Sequence, residues 1–223
     1  MSEAALFPRS RREVAPGAVH VPDWLTVDEQ RDLVTACRRW AGPPAPMHAP
    51  RLPSGAVMSV QMVCLGWHWA PYRYTRTADD VDGARVTAFP AWLAELGRRA
   101  VAEAYSDAAR AADYEPDVAL VNRYADGARM GMHQDRDERT DAPVVSLSLG
   151  NSCPFRFGNT ENRGRPYTDV ELASGDLFVF GGPSRFAYHG VPKVLPRTGP
   201  PDIGLARGER LNITMRVTGL TDG

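Results

Sequence analysis

A chain of 223 residues, 43% hydrophobic and 24% charged, suits one large domain with a sizeable core and excludes a disordered or low-complexity protein. Its formal net charge of −1 excludes a global attraction for nucleic acid or anionic lipid, so a polyanion would have to meet a local patch. Cys37, Cys64 and Cys153 make no CxxC pair or disulfide framework, and neither a signal-peptide run nor a bilayer-length stretch is visible. A cytoplasmic protein without a membrane partner is the expectation.

In chain order, the first twenty residues are polar and punctuated by Pro8, Pro16 and Gly17; they read as an arm over the surface. A helix is predicted over about 26–40. Thr26 and Glu29 form a capping box, and Leu33, Val34, Cys37 and Trp40 share a face. "AGPPAPMHAPRLPSG" stops it with prolines, and residues 55–80 read as a covering segment. "PAWLAELGRRAVAEAYS" is a second helix with Pro90 at its first position and a stripe of Leu93, Leu96, Ala100 and Val101.

From residue 115 to 219 the pattern changes to short β-branched or aromatic runs, "VALVNRY", "VVSLSLG", "PFRFG", "TDVELA", "DLFVFGG" and "RLNITMRV", bounded by Gly, Pro, Asn and Asp. The fold class expected is α+β, mainly β. One domain spans 1–223, with N-terminal helices buttressing an antiparallel sandwich or barrel.

Alternation places Arg210, Asn212, Thr214 and Arg216 on one face of the last strand, with Leu211, Ile213, Met215 and Val217 on the other. A polar strand face usually meets solvent, but two arginines six residues apart form a directed pair suited to a dicarboxylate. "VALVNRY" aligns Leu120, Asn122 and Tyr124 in the same way. In "MGMHQDRDE", His133 and Asp135 stand at i and i+2, and "RFAYHGV" adds His189. Two imidazoles and a carboxylate are the ligand set of non-haem iron oxygenases, in which open coordination positions accept a 2-oxo acid and dioxygen. HxD alone is a weak signal, and an isolated histidine is more often packed than ligating. The order of the pieces carries the reading.

Taken in order from about Met58 to Val217, "NRY", "HQDRDE", "SLSLG", "FGG.SR..YHGV" and "RLNITMR" resemble the AlkB family of Fe(II)/2-oxoglutarate-dependent dioxygenases. The resemblance implies a double-stranded β-helix (jelly roll) with N-terminal helices and a nucleotide-recognition lid. It implies His133, Asp135 and His189 as iron ligands, and Arg210 and Arg216 as partners of the two carboxylates of 2-oxoglutarate. Asn122, Tyr124 and Asn212 would support them by hydrogen bonding. Asp137 would read the exocyclic amino group of a damaged base, Trp67 would stack on that base, and Tyr72 and Tyr74 would lie near the nucleotide backbone. The implied activity is oxidative demethylation of 1-methyladenine and 3-methylcytosine in single-stranded DNA, with RNA as a second substrate, by a monomer.

Three features depart from the family pattern: a lid shorter than expected, Phe180 in place of a tryptophan, and a less basic loop "FGNTENRGRP" in which Arg163 or Arg165 takes over phosphate contacts. Arg73 and Arg76 are the other expected phosphate ligands. Two further readings stay open: a 2-oxoglutarate oxygenase of RNA, protein or a small molecule, and a non-catalytic metal-binding β-barrel. Glu138 and Arg136 read as a solvated charge run. Tyr105, Tyr114, Trp24, Trp40 and Trp92 read as structural.

Overall fold

The computed structural model describes residues 9–221. The chain opens with a hairpin of β1 (Arg12–Ala15) and β2 (Ala18–Val21), then α1 (Val27–Trp40), β3 (Val60–Leu65) and a short hairpin of β4 (His68–Ala70) and β5 (Arg73–Thr75). Helices α2 (Ala91–Tyr105) and α3 (Ala108–Ala112) precede the strand-rich half. That half contains β6 (Val118–Tyr124), β7 (Met130–His133), β8 (Val144–Gly150), β9 (Cys153–Gly158), β10 (Tyr167–Leu172), β11 (Leu177–Phe180), β12 (His189–Val191) and β13 (Arg210–Arg216).

The strands form a seven-stranded sheet, β1-β2-β11-β8-β13-β6-β3, and a four-stranded sheet, β10-β9-β12-β7, with β4-β5 standing apart. Every pairing between these named strands is antiparallel. This is the mainly β, jelly-roll architecture that the strand pattern and the resemblance imply. Between the sheets, Phe155 and Phe157 of β9 pack edge-on and tilted against Phe178 and Phe180 of β11. On the outer face of the larger sheet, Leu211, Ile213 and Met215 of β13 join Leu33 and Val34 of α1 and Leu93, Ala100 and Val101 of α2 in one core. Each of the larger aliphatic side chains among them contributes about 1.5–3 kcal/mol on burial. The alternation of β13 therefore fixes its other face towards the interior between the sheets.

Both helices form for local reasons visible in the sequence. Thr26 Oγ1 accepts from Glu29 N at 3.2 Å, and Glu29 Oε2 accepts from Thr26 N at 2.8 Å, which closes the capping box of α1. Pro90 is the N-cap of α2 with extended backbone (ψ 135°), one position before the predicted one, and Leu96 is only partly buried. Trp40 stacks on Trp92 at 5.8 Å between centroids, and Tyr114 donates to Met215 O, so these aromatics are structural as read.

Two expectations are corrected. The N-terminal arm is not loose covering: all four residues of β2 are buried, and they pair with β11 from Val21↔Leu177 to Ala18↔Phe180. "AVHV" after a Pro-Gly turn, with Gly17 at φ +78°, is a strand signal that the polar surroundings masked. Residues 1–8 of that arm lie outside the described residues. Within the expected covering segment, residues 60–65 are instead β3, the edge strand of the larger sheet, paired with β6 from Val60↔Tyr124 to Leu65↔Ala119. The cavity is covered from this segment by Val57, Met58 and Ser59 before β3 and by Trp69, Pro71 and Tyr72 of the β4–β5 hairpin.

Candidate active site

A cavity of about 730 Å³ opens between the two sheets. The smaller sheet supplies the candidate metal ligands. His133 ends β7 and His189 begins β12, and the two are direct cross-strand partners, so the pleat sends both imidazoles to one face, with ring centroids 4.5 Å apart. Asp135 follows two residues on. Gln134 between them turns the other way, its amide donating to Thr160 O and Phe186 O. Asp135 Oδ1 lies 3.6 Å from His133 Nε2, and Oδ2 lies 3.6 Å from His189 Nε2.

The backbone sets the direction of both rings. His133 Nδ1 lies 2.9 Å from Gly131 O, and His189 Nδ1 lies 3.0 Å from Ala187 O. A proton on each Nδ1 satisfies these carbonyls and leaves both Nε2 lone pairs facing Asp135. Burial pushes the His189 imidazole down to about 4, against the pull of Asp135, so it is neutral at pH 7. Burial also works against charge on Asp135, but the Arg216 guanidinium, then His189 and His133, hold its carboxyl down to about 2. Asp135 Oδ2 is buried and makes no hydrogen bond to the protein. Two imidazole Nε2 atoms and a carboxylate with a free, inward oxygen fit a divalent iron, and these three residues would hold it.

The larger sheet supplies the opposite wall. Asn212 and Asn122 are cross-strand partners on β13 and β6, as are Arg210 and Tyr124. Arg210 is 1% exposed, its two terminal nitrogens donating to Asn151 O at 3.1 Å and Ser148 Oγ at 3.0 Å. Asn212 Nδ2 donates to Ser146 Oγ at 2.8 Å. Among the described residues, Arg210 Nε, Arg216 Nε and Asn122 Oδ1 are buried without a protein partner, and all three residues line the cavity. Buried polar groups left unpaired are costly, so their clustering beside the Asp135 oxygen marks a place for a polar ligand.

Arg216 is the hinge between the two halves. Its NH2 donates to Asp135 Oδ1 at 2.8 Å, and its NH1 to Glu138 Oε1 at 3.0 Å and Tyr74 Oη at 3.1 Å. Glu138 Oε2 accepts from Arg185 at 3.0 Å, and its side chain is fully buried. Asp135, Arg216, Glu138 and Arg185 thus form a buried row of alternating charge. Burial, the largest influence, opposes ionisation of Glu138, but Arg216, the Tyr74 hydroxyl and Arg185 together prevail and lower its pKa below the usual carboxylate range. Glu138 is therefore not part of a solvated run, and sequence patterning gives no sign of Arg185 as its partner.

The lid residues divide. Trp67 does not reach the cavity: it is 6% exposed, donates from Nε1 to Asp117 Oδ2 at 3.0 Å, and lies under the Arg76 guanidinium at 3.5 Å. It precedes β4 in a tight turn, with Trp67 N donating to Leu65 O, so the strand alternation starts only after it. Gly66 makes that turn at φ +77°, where a Cβ would stand 2.0 Å from Asp117 O. Trp69 takes the cavity position instead, and its Nε1 donates to Asp137 Oδ2 at 2.7 Å. Tyr72 is 75% exposed at the cavity rim, whereas Tyr74 is turned inward and donates to Glu138 Oε1 at 2.6 Å. Arg163 lines the cavity, joined by Arg129 and Arg136; Arg76, packed on Trp67 and bonded to Gly66 O, does not. Phe180, at the departure from the family pattern, packs on the His189 ring at 5.0 Å.

Residues 17–216 match the 2OG-Fe(II) oxygenase superfamily. The chain is 38% identical over 209 residues to an "Alpha-ketoglutarate-dependent dioxygenase AlkB homolog" of Caulobacter vibrioides, covering 91% of this chain and 88% of that protein. It is 34% identical over 232 residues to "DNA N(6)-methyladenine demethylase ALKBH1D" of Arabidopsis thaliana, covering 96% of this chain but 52% of that protein, about half its length. The solved structure described as "The structure of OsALKBH1" superimposes with a TM-score of 0.80 at 31% identity, over 92% of this chain and 99% of that one. Among the described residues no helix is long and apolar enough to cross a membrane. The histidine–aspartate cluster on one sheet, the arginine strand on the other and these likenesses agree: the chain belongs to the AlkB family of Fe(II)/2-oxoglutarate-dependent dioxygenases.

Proposed function

We propose that the chain oxidatively demethylates N-alkylated nucleobases, 1-methyladenine and 3-methylcytosine, in single-stranded DNA, with RNA as a second substrate. The observation that carries this reading is Trp69: an indole on the cavity wall, hydrogen-bonded to Asp137 and a few residues from an exposed tyrosine. An aromatic face beside a carboxylate acceptor suits a flat base that presents an amino group. When bound, iron with 2-oxoglutarate and dioxygen supplies oxidation of the N-methyl carbon, after which the hydroxymethyl adduct releases formaldehyde and succinate and CO2 are the coproducts.

The protein's own groups perform the rest. His133, Asp135 and His189 would hold the metal, and Arg210, at the buried end of the cavity, would take the remote carboxylate of the cosubstrate with Tyr124 and Asn212 beside it. Arg216 neutralises Asp135 and stands ready, through its unpaired Nε, for the second carboxylate, with Asn122 opposite. Phe155 and Phe180 form the apolar floor that keeps water from the oxidation. The base stacks on Trp69 and offers its exocyclic nitrogen to Asp137. Tyr72, Arg129, Arg136 and Arg163, which line the cavity, would meet a phosphate backbone at its rim.

The test is formaldehyde release from single-stranded oligonucleotides carrying 1-methyladenine, 3-methylcytosine or N6-methyladenine, the last because one relative bears that name. Wild-type release that vanishes in Asp135→Ala supports the proposal. Release from none of the three, by a protein that consumes 2-oxoglutarate, favours an oxygenase of another substrate.

A further inference from the structure

Five histidines are present in the chain, and four meet a carboxylate in ways already accounted for or expected of buried pairs: His133 and His189 at the candidate iron site, His20 at 2.8 Å from Asp176, and His68 at 2.5 Å from Asp80. His48 completes an arrangement that pairing does not explain. It sits in the proline-rich loop before β3, bridged to Met62, and its Nδ1 lies 3.3 Å from Pro46 O. With the proton on Nδ1, the Nε2 lone pair points at Asp80 Oδ2, 4.0 Å away, and at the His68 ring, whose centroid is 5.5 Å from its own. That Nε2 is buried and has no hydrogen-bond partner.

We propose that His48, His68 and Asp80 form a second metal site, of the class that takes a divalent transition ion such as zinc, fastening the β4–β5 hairpin to the loop before β3. The three ligand atoms lie within 4.8 Å of one another. Two imidazole nitrogens and a carboxylate oxygen are a zinc donor set, with water for the fourth position. The Asp80 side chain is 30% exposed and gives the ion a way in, while His68, 2% exposed, gives a dry inner ligand. The site is separate from the iron ligands: His68 begins β4, Asp80 follows β5, and Trp69, next to His68, is the residue that meets Asp137. Occupancy would hold the hairpin, and with it Trp69, in the position seen here. A plain His68–Asp80 hydrogen bond, the competing explanation, leaves His48 Nε2 buried and unused.

The experiment uses the full chain carrying His133→Ala and Asp135→Ala, so that the candidate iron site cannot report. This protein is dialysed against micromolar zinc, and its metal content and melting temperature are measured. The proposal predicts one zinc per chain and a melting temperature raised by zinc. Adding His48→Ala, or separately Asp80→Asn, which keeps the hydrogen bond to His68, should remove both the zinc and the shift. A folded protein that retains no zinc, or that retains it equally with either added substitution, overturns the proposal.

Discussion

Two tryptophans two residues apart separate stacking from packing. Trp69 lines the cavity, partly buried, with its indole nitrogen bonded to Asp137, whereas Trp67 is buried against Asp117 and Arg76. Trp69→Ala should leave the unfolding midpoint nearly unchanged while weakening binding of methylated oligonucleotide by about 1–3 kcal/mol, roughly 5- to 150-fold. Trp67→Ala should do the reverse, costing about 3–5 kcal/mol of stability in a urea titration. Equal loss of affinity in the two variants, at equal stability, would contradict the assignment. The sequence shows both residues in "LGWHWAPYRY" and puts them on one face if the strand is regular; the turn at Gly66, set by the nearby Asp117 carbonyl, breaks that regularity. No local pattern records so distant a neighbour. The charge row is hidden for the same reason. "RDERT" looks solvated, yet Glu138 is enclosed by Arg185 and Arg216 from elements 47 and 78 residues away. Glu138→Ala leaves two guanidinium groups without their shared partner and should cost about 3–5 kcal/mol, read as a lowered denaturation midpoint. A loss below 1 kcal/mol would show the row to be solvated.

Among the elements, β13 was readable because it is simple: an apolar back towards α1 and α2 and a polar front facing the cavity, alternating without a bulge through its pairing with β8 and β6. The triad was readable in part, since cross-strand pairing of β7 with β12 turns an HxD and a distant histidine into one cluster. The β1–β2 hairpin was not, because its hold on the fold is long-range. Asp176, just before β11, accepts from Arg9, His20 and the amides of Asp23 and Ala173, with its side chain fully buried. Burial opposes its charge, but His20 and Arg9 with the backbone donors prevail and lower its pKa below the usual carboxylate value. The sign follows from linkage. Stability from this carboxylate is fully present above the ordinary carboxylate pKa and is lost as pH falls through the lowered one. Asp176→Asn should cost about 1.5–3 kcal/mol at pH 7, and the gap from wild type should narrow as the pH is taken down towards 3. A gap that widens on acidification would refute this reading.

For the whole molecule, the division of labour is between sheets. The four-stranded sheet carries the candidate iron ligands, the seven-stranded sheet carries the groups proposed for the cosubstrate, and the phenylalanines between them set their separation. With a net charge of −1, the proposed nucleic-acid affinity would rest on the arginines at the rim. Binding of single-stranded DNA should therefore weaken with salt, with a slope in log Kd of about 0.7 per phosphate contacted, roughly 2 for three rim arginines. A dissociation constant that ignores salt would remove them from the substrate path. The central claim is that oxidation of 2-oxoglutarate is coupled to removal of a methyl group from a nucleobase. The most direct measurement is succinate and formaldehyde counted together during turnover of a single strand carrying 1-methyladenine. The account predicts equal amounts, both abolished in Asp135→Ala; succinate formed with no formaldehyde, or formaldehyde persisting in that variant, would contradict it.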